Sequence, residues 1–206
     1  MPIELRGRTI AITGASSGIG EATALACAHA GMHVALAARR IDRLNALADQ
    51  IRSSGGSAST FQIDVADPEA SKAFIERTIH THGHLYAVFA NAGYGAESTI
   101  AEMTDLDIRR MFEVNFFGSL NVIRPALTHM LAQPGPQRGH ILWCSSCLSI
   151  FPVPFGGCYS ASKAAQHHFS RAMRIELETS GIAVSSIHPI GTETEFSKSL
   201  LERSGR

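Results

Sequence analysis

Short runs of strand type alternate along this chain with segments whose apolar positions recur every three to four residues. Thr9–Thr13, His33–Ala38, Ser59–Ile63, Leu85–Ala90, His140–Cys144 and Ile182–Ile187 form the first set. Between them the pattern predicts helices from Gly18 to about Ala30, Ile41 to Ser54, Pro68 onward, Thr104 to about Leu131, and Tyr159 to Thr179. Pro68 stands where a first helical turn tolerates proline, because that N–H has no intrahelical partner. Thr104 is an N-cap, and Leu106, Ile108, Met111, Phe112 and Phe116 mark one apolar face of the longest helix. Strict alternation of strand and helix implies βαβ units. The expected fold is therefore α/β: a Rossmann-type, doubly wound parallel sheet of about six strands in three α/β/α layers. No repeat, low-complexity tract or linker divides residues 1–206, which read as a single dinucleotide-binding domain carrying both cofactor and catalytic sites. Gln133-Pro-Gly-Pro-Gln-Arg-Gly139 is a surface connection rich in breakers.

The residues after Ile187 are too few for another full βα unit, so the C-terminal strand and loop region reads as shortened. In the doubly wound order the sixth strand is then a sheet edge. An apolar edge invites unwanted pairing. Either a partner subunit covers it, or the chain is a shortened form of a longer protein.

Composition narrows the partners. The formal net charge is zero and charged residues make up 17%, so there is no basic face for nucleic acid. No apolar run reaches the ~18 residues that span a bilayer, and the N-terminus lacks the apolar stretch of a signal peptide. The expected location is cytoplasmic, with no membrane partner. Cys27, Cys144, Cys147 and Cys158 do not form a disulfide framework. Cys144-x-x-Cys147 has no second metal-ligating pair and reads as two small buried residues at a strand end. His80-Thr-His-Gly-His84 resembles a chelating tract but reads as solvated surface, and no metal is assigned.

Candidate chemistry gathers at three places. Thr13-Gly-Ala-Ser-Ser-Gly-Ile-Gly20 lies between the first strand and first helix. There the backbone of Gly14, Ser16, Ser17, Gly18, Ile19 and Gly20 can approach a pyrophosphate held by the helix N-terminus. At the end of the second strand, where an NAD protein places an acid for the ribose hydroxyls, the chain reads Ala37-Ala38-Arg39-Arg40. Alanine leaves room for a 2′-phosphate and a guanidinium pairs with it, which points to NADP(H) over NAD(H). Arg39 is the first choice for that contact and Arg40 the second. Finally, Tyr159 and Lys163 stand at i and i+4 on one helix face. An ammonium beside the phenol favours the phenolate and lowers its pKa toward neutrality.

These residues resemble the short-chain dehydrogenase/reductase family over nearly the whole chain. The resemblance rests on Thr-Gly-x-x-x-Gly-x-Gly at 13–20, Asp64-Val65, Asn91-Ala-Gly93, Asn115, Ser146 and Tyr159-x-x-x-Lys163. It implies that Asp64 and Val65 contact adenine and that Asn91, Ala92 and Gly93 shape the cofactor floor. Tyr159 is then the acid/base, while Lys163 binds the nicotinamide ribose and lowers the Tyr159 pKa. Ser146, with Ser145 as second choice, holds the substrate oxygen, and Asn115 holds a relay water. The family's Pro-Gly after the sixth strand is here Pro189-Ile190-Gly191-Thr192-Glu193-Thr194, where Thr192 or Thr194 meets the nicotinamide amide.

The implied reaction is hydride transfer between NADP(H) and a carbonyl or secondary alcohol. The alternative is a dinucleotide-binding sensor or pseudoenzyme without turnover. Tyr94, Ser146, Cys147, Leu148, Phe151, Pro152, Phe155 and Cys158 are expected to line a pocket for a hydrophobic small-molecule substrate, unless they are core packing. A homodimer or homotetramer packed through residues 104–131 and 159–179 is implied as well.

Overall fold

All five residues of β1 (Thr9–Thr13) are buried, as befits a central parallel strand covered on both faces. In the computed structural model, which describes residues 3–151, 153–192 and 195–196, β1 is flanked first by β2 (His33–Ala38) and then β3 (Ser57–Gln62). The chain then crosses back and lays β4 (Ala87–Ala90), β5 (Gly139–Cys144) and β6 (Ile182–Ile187) on the other side. Every pairing is parallel and the order is β3-β2-β1-β4-β5-β6. The expected Rossmann-type doubly wound sheet is therefore present, with β6 at one edge. The winding reverses between β1 and β4, which opens a crevice beyond their carboxyl ends.

Alternation along the strands sorts side chains to two cores. Ile10, Ile12, Val34 and Leu36 pack with Leu44, Leu47, Ala48 and Ile51 of α2 (Ile41–Ser53), beside Ala24 of α1 (Gly18–His29). Ala11, Ala35, Val88 and Ile141 face the opposite way. They meet Phe74 and Ile75 of α3 (Pro68–His82), with Val122, Ile123, Ala126 and Met130 from 118–131. Each large side chain buried this way contributes roughly 1.5–3 kcal/mol. The start of α3 is set locally: Asp67 accepts from the Glu69 and Ala70 N–H groups, and Pro68 opens the first turn.

The structure corrects some boundaries. β3 begins at Ser57, two residues early, because Ser57 pairs in register with His33. β4 starts only at Ala87. The helix expected over 104–131 is broken: α4 (Asp105–Phe112) passes through a π-helical stretch, Glu113–Phe117, into α5 (Gly118–Leu131). A capping box between Thr104 and Asp107 begins α4. The last helix, α6 (Gly157–Glu176), starts two residues before Tyr159. No described helix is long and apolar enough to cross a membrane.

Candidate active site

One cleft of about 1170 Å³ occupies the crevice beyond β1 and β4. Its wall includes Gly14, Ser16, Ser17, Gly18, Ile19, Arg39, Arg40, Asp64, Val65, Asn91, Ala92 and Gly93. Ser146, Tyr159, Lys163, Pro189, Gly191 and Thr192 complete it on the other side. The cleft thus gathers residues distant in sequence, while among the described site candidates Gly20, Asn115, Phe151 and Phe155 are not on its wall. Gly20 is buried behind the turn and Asn115 behind Gly93. Thr194 and Pro152 lie outside the described residues.

The glycine-rich turn is clamped from β4. Thr13 Oγ1 accepts from the Asn91 and Ala92 N–H groups, each at 3.1 Å, and Asn91 Nδ2 donates to the carbonyls of Thr13 and Gly14. Gly14 has φ 66°, and a Cβ there would lie 2.9 Å from Ala92 Cα. A Cβ on Gly20 would lie 2.4 Å from the Gly14 carbonyl oxygen. The spacing of these glycines is therefore a packing requirement. No side chain caps α1, since the Ser17 hydroxyl accepts instead from Arg40 at 2.8 Å. The first N–H groups of α1, a positive helix end, so remain available to an anion at the cleft. With two arginines on the same wall, these residues fit a dinucleotide's phosphates.

Arg40 is the more engaged of those arginines. Its guanidinium donates to Ser16 Oγ at 2.9 Å and pairs with Glu195 at 2.8 Å. Arg39 lines the wall, and its carbonyl accepts from Gln62. Asp64 Oδ1 accepts from the Ala66 N–H, which shapes the turn after β3.

At the other end, Ser146 follows β5 and Tyr159 sits in the first turns of α6. The Ser146 hydroxyl accepts from the Leu148 N–H at 3.2 Å and is near enough to the Tyr159 phenol to favour its ionised form. Its neighbour Ser145 turns away and donates to the Lys163 carbonyl. Lys163 is buried, and its ammonium donates to the Cys144 carbonyl at 2.7 Å while standing 5.7 Å from the Tyr159 ring centroid. The expected lowering of the Tyr159 pKa is not what this arrangement produces. Burial pushes it up to about 12, opposed by the Ser146 hydroxyl. Burial likewise pushes the Lys163 ammonium down. The i, i+4 spacing put both groups on one face, but the ammonium is aimed at a backbone carbonyl of β5.

Asn115 is fully buried inside the π-helical stretch. Its Oδ1 accepts from the Tyr94 N–H, and Nδ2 donates to the Tyr94 carbonyl at 2.9 Å and to Ser162 Oγ at 3.0 Å. Its own carbonyl accepts from Ser119 and Gln166. These bonds make Asn115 a clamp between the loop after β4 and α6, directly behind Gly93 and Lys163. Ser162 and Gln166 complete that clamp. Sequence reading missed both because nothing local marks a polar residue on a helix as buried.

The substrate side of the wall also differs from expectation. Tyr94, Cys147 and Leu148 line the cleft, joined by Met103, Met111, Val114, Val153 and Phe196. Phe151 is 61% exposed, Phe155 has φ 64° and a carbonyl bonded to the Ser98 N–H, and neither they nor Cys158 belongs to the cleft wall. The 3₁₀ turn Cys147–Ser149 carries Leu148 on the cleft wall; beyond it Phe151 is exposed, while Val153 again lines the wall.

Known proteins carry the same architecture. An uncharacterized oxidoreductase from Listeria innocua is 33% identical over 201 residues, covering 97% of this chain and 80% of that protein. A short-chain dehydrogenase from Burkholderia cenocepacia, solved in complex with NADP, superposes with TM-score 0.87 at 30% identity, over 94% of this chain and 78% of that one. A short-chain dehydrogenase/reductase from Burkholderia phymatum, in complex with NAD, gives TM-score 0.92 at 27% identity, over 96% and 70%. The short chain dehydrogenase family profile matches residues 8–205. With that match over nearly its whole length, and with this sheet order and cleft, the chain belongs to the short-chain dehydrogenase family of oxidoreductases.

Proposed function

We propose that this protein catalyses hydride transfer between NADP(H) and a carbonyl or secondary alcohol, with Tyr159 as the proton donor and acceptor. The observation that carries the reading is the convergence of Ser146, Tyr159 and Lys163 with an uncapped, glycine-lined helix N-terminus in one cleft. The nicotinamide cofactor supplies the hydride when bound. Ser146 and Tyr159 both line the cleft, so both can donate to an oxygen on which negative charge develops. Tyr159, held up to about 12 by burial, is protonated at neutral pH. It is thus ready to protonate an alkoxide, which suits carbonyl reduction. Lys163 is confined behind Gly93, where its Nζ donates to the Cys144 carbonyl and fixes α6 against β5, 5.7 Å from the Tyr159 ring centroid.

The relatives solved with NADP and with NAD leave the nucleotide choice to this chain's own residues. No carboxylate follows β2, and the Arg40 guanidinium stands over Ser16 and Ser17, which supports NADP(H). Met103, Met111, Val114, Leu148 and Val153 on the wall favour a substrate with hydrophobic substituents. A homo-oligomer is supported by an aromatic ridge: Phe117 and Phe169, each 47% exposed, both pack edge-on against Phe116.

The test is NADPH oxidation with a panel of alicyclic and aromatic ketones, beside Tyr159→Phe. The wild type should turn over, and the variant should lose about 10²–10⁴-fold in kcat with nucleotide affinity retained. Nucleotide binding without turnover of any carbonyl would sink the enzyme reading and leave a sensor.

A further inference from the structure

Two consecutive residues beyond β6 reach both ends of the cleft. Glu195 gives its carboxylate to Arg40 at 2.8 Å and to Arg43. Phe196 lies against Tyr159, with ring centroids 5.5 Å apart at 47°. The first contact is at the glycine-rich turn, since the same Arg40 donates to Ser16 and Ser17. The second is at the proposed proton donor. Glu195 is a permanent anion: hydrogen bonds from Arg43 and then Arg40 hold its carboxyl down to about 2.

From this geometry we propose that Glu195 is a specificity-determining residue, whose carboxylate occupies the guanidinium pair that a ribose 2′-phosphate would otherwise engage. The inference rests on the NADP(H) reading above. A planar carboxylate and a tetrahedral phosphate monoester both offer anionic oxygen acceptors, and the Nη1 groups of Arg40 and Arg43 that donate to Glu195 cannot serve both anions at once. Binding of a 2′-phosphorylated dinucleotide therefore exchanges one anion for another at Arg40 and Arg43. A dinucleotide lacking that phosphate leaves the Glu195 pair intact. Exchange also releases the residue that precedes Phe196, so the nucleotide's phosphate and the cover over Tyr159 are linked. The ion pair is exposed, with side chains 44–51% accessible. Such pairs are weak, so the competition is of the order of a few-fold, not decades.

Isothermal titration of NADPH and NADH into the wild type, Glu195→Gln and Arg40→Ala, in phosphate-free buffer, tests this. Glu195→Gln keeps the side chain's shape and removes its charge. It should tighten NADPH about threefold to fivefold and leave NADH unchanged. Arg40→Ala should weaken NADPH and spare NADH. The proposal is overturned, with the NADP(H) reading standing, if Arg40→Ala is selective but Glu195→Gln leaves NADPH unchanged, weakens it, or shifts both nucleotides equally. If Arg40→Ala affects both nucleotides alike, Arg40 does not hold the 2′-phosphate and the proposal fails, while the NADP(H) reading then rests on Arg39. Limited proteolysis after β6 gives a readout that needs no turnover: saturating NADPH should speed cleavage in the wild type more than saturating NADH. Equal cleavage with the two nucleotides would refute the link to Phe196.

Discussion

Gly20→Ala sets two effects of opposite sign against each other at one atom. Gly20 lies within α1, where replacing glycine by alanine stabilises a helix by roughly 0.5–1 kcal/mol through reduced backbone entropy. Against that, the new methyl would stand 2.4 Å from the Gly14 carbonyl oxygen, 2.6 Å from Asn91 Nδ2 and 2.9 Å from the Gly14 carbonyl carbon. Relief requires a displacement on the order of 1 Å, and such overpacking costs about 1–3 kcal/mol. The carbonyl that must move is also the one that receives Asn91 Nδ2. Sterics should win by about 1–2 kcal/mol, which for a chain of this size lowers Tm by roughly 2–8 °C. Gly157→Ala is the matched control. It lies at the start of α6, and among the described residues its new methyl would meet only Ile100, at 3.8 Å, so it should be neutral or mildly stabilising. Calorimetric melting of both variants without nucleotide, followed by NADPH titration, reads the two effects separately. Gly20→Ala should lose at least tenfold in affinity, because the α1 N-terminus can no longer sit against the turn. A variant that melts like wild type and binds normally would refute the claim that close packing selects glycine here.

Further outcomes follow from the polar clamp and the histidines. Asn115→Ala removes the buried side chain that bonds the Tyr94 N–H, the Tyr94 carbonyl and Ser162 Oγ, each such bond contributing about 0.5–1.5 kcal/mol, so Tm should drop by several degrees in thermal melts while kcat falls. Unchanged melting would show that Asn115 is no clamp. His82 stacks on His33 at 5.3 Å, and its pKa is lowered by burial, then by His33 and His84. A folded pKa below the unfolded value means that the unfolded chain binds more protons. The stability involved is whole above the ordinary histidine pKa of about 6.5 and declines as pH falls below it. Tm should therefore drop between pH 7 and pH 5, and His82→Phe should flatten that slope by removing one titrating partner of the stack. An unaltered slope would assign the pH dependence elsewhere.

Much of this molecule was legible before any coordinates. Order and type of the elements followed from pattern, because parallel strands buried on both faces must read as continuous apolar runs, and Asp67-Pro68 and Thr104 announce their helices locally. The break at Glu113–Phe117 was not legible. Phe116 keeps the apolar spacing through it, and only the pull of Tyr94 and Ser162 on Asn115 distinguishes it. Phe151 and Phe155 misled for the reverse reason: aromatic residues near a site read as its lining, yet both stay off the cleft wall while Val153 between them lines it.

By itself the sequence determined which groups exist and which are neighbours along one element: the glycines of the turn, the Tyr159–Lys163 face, the absence of an acid after β2. These are legible because helix and strand periods are local properties of the backbone. Only the tertiary structure decided where each charge points and what it meets. Lys163 turns to a carbonyl on β5, burial lifts the Tyr159 phenol up to about 12, and Glu195 reaches Arg40 across 155 residues of chain. Burial and long-range pairing set the electrostatic energy of a group, and neither is written in the residues beside it.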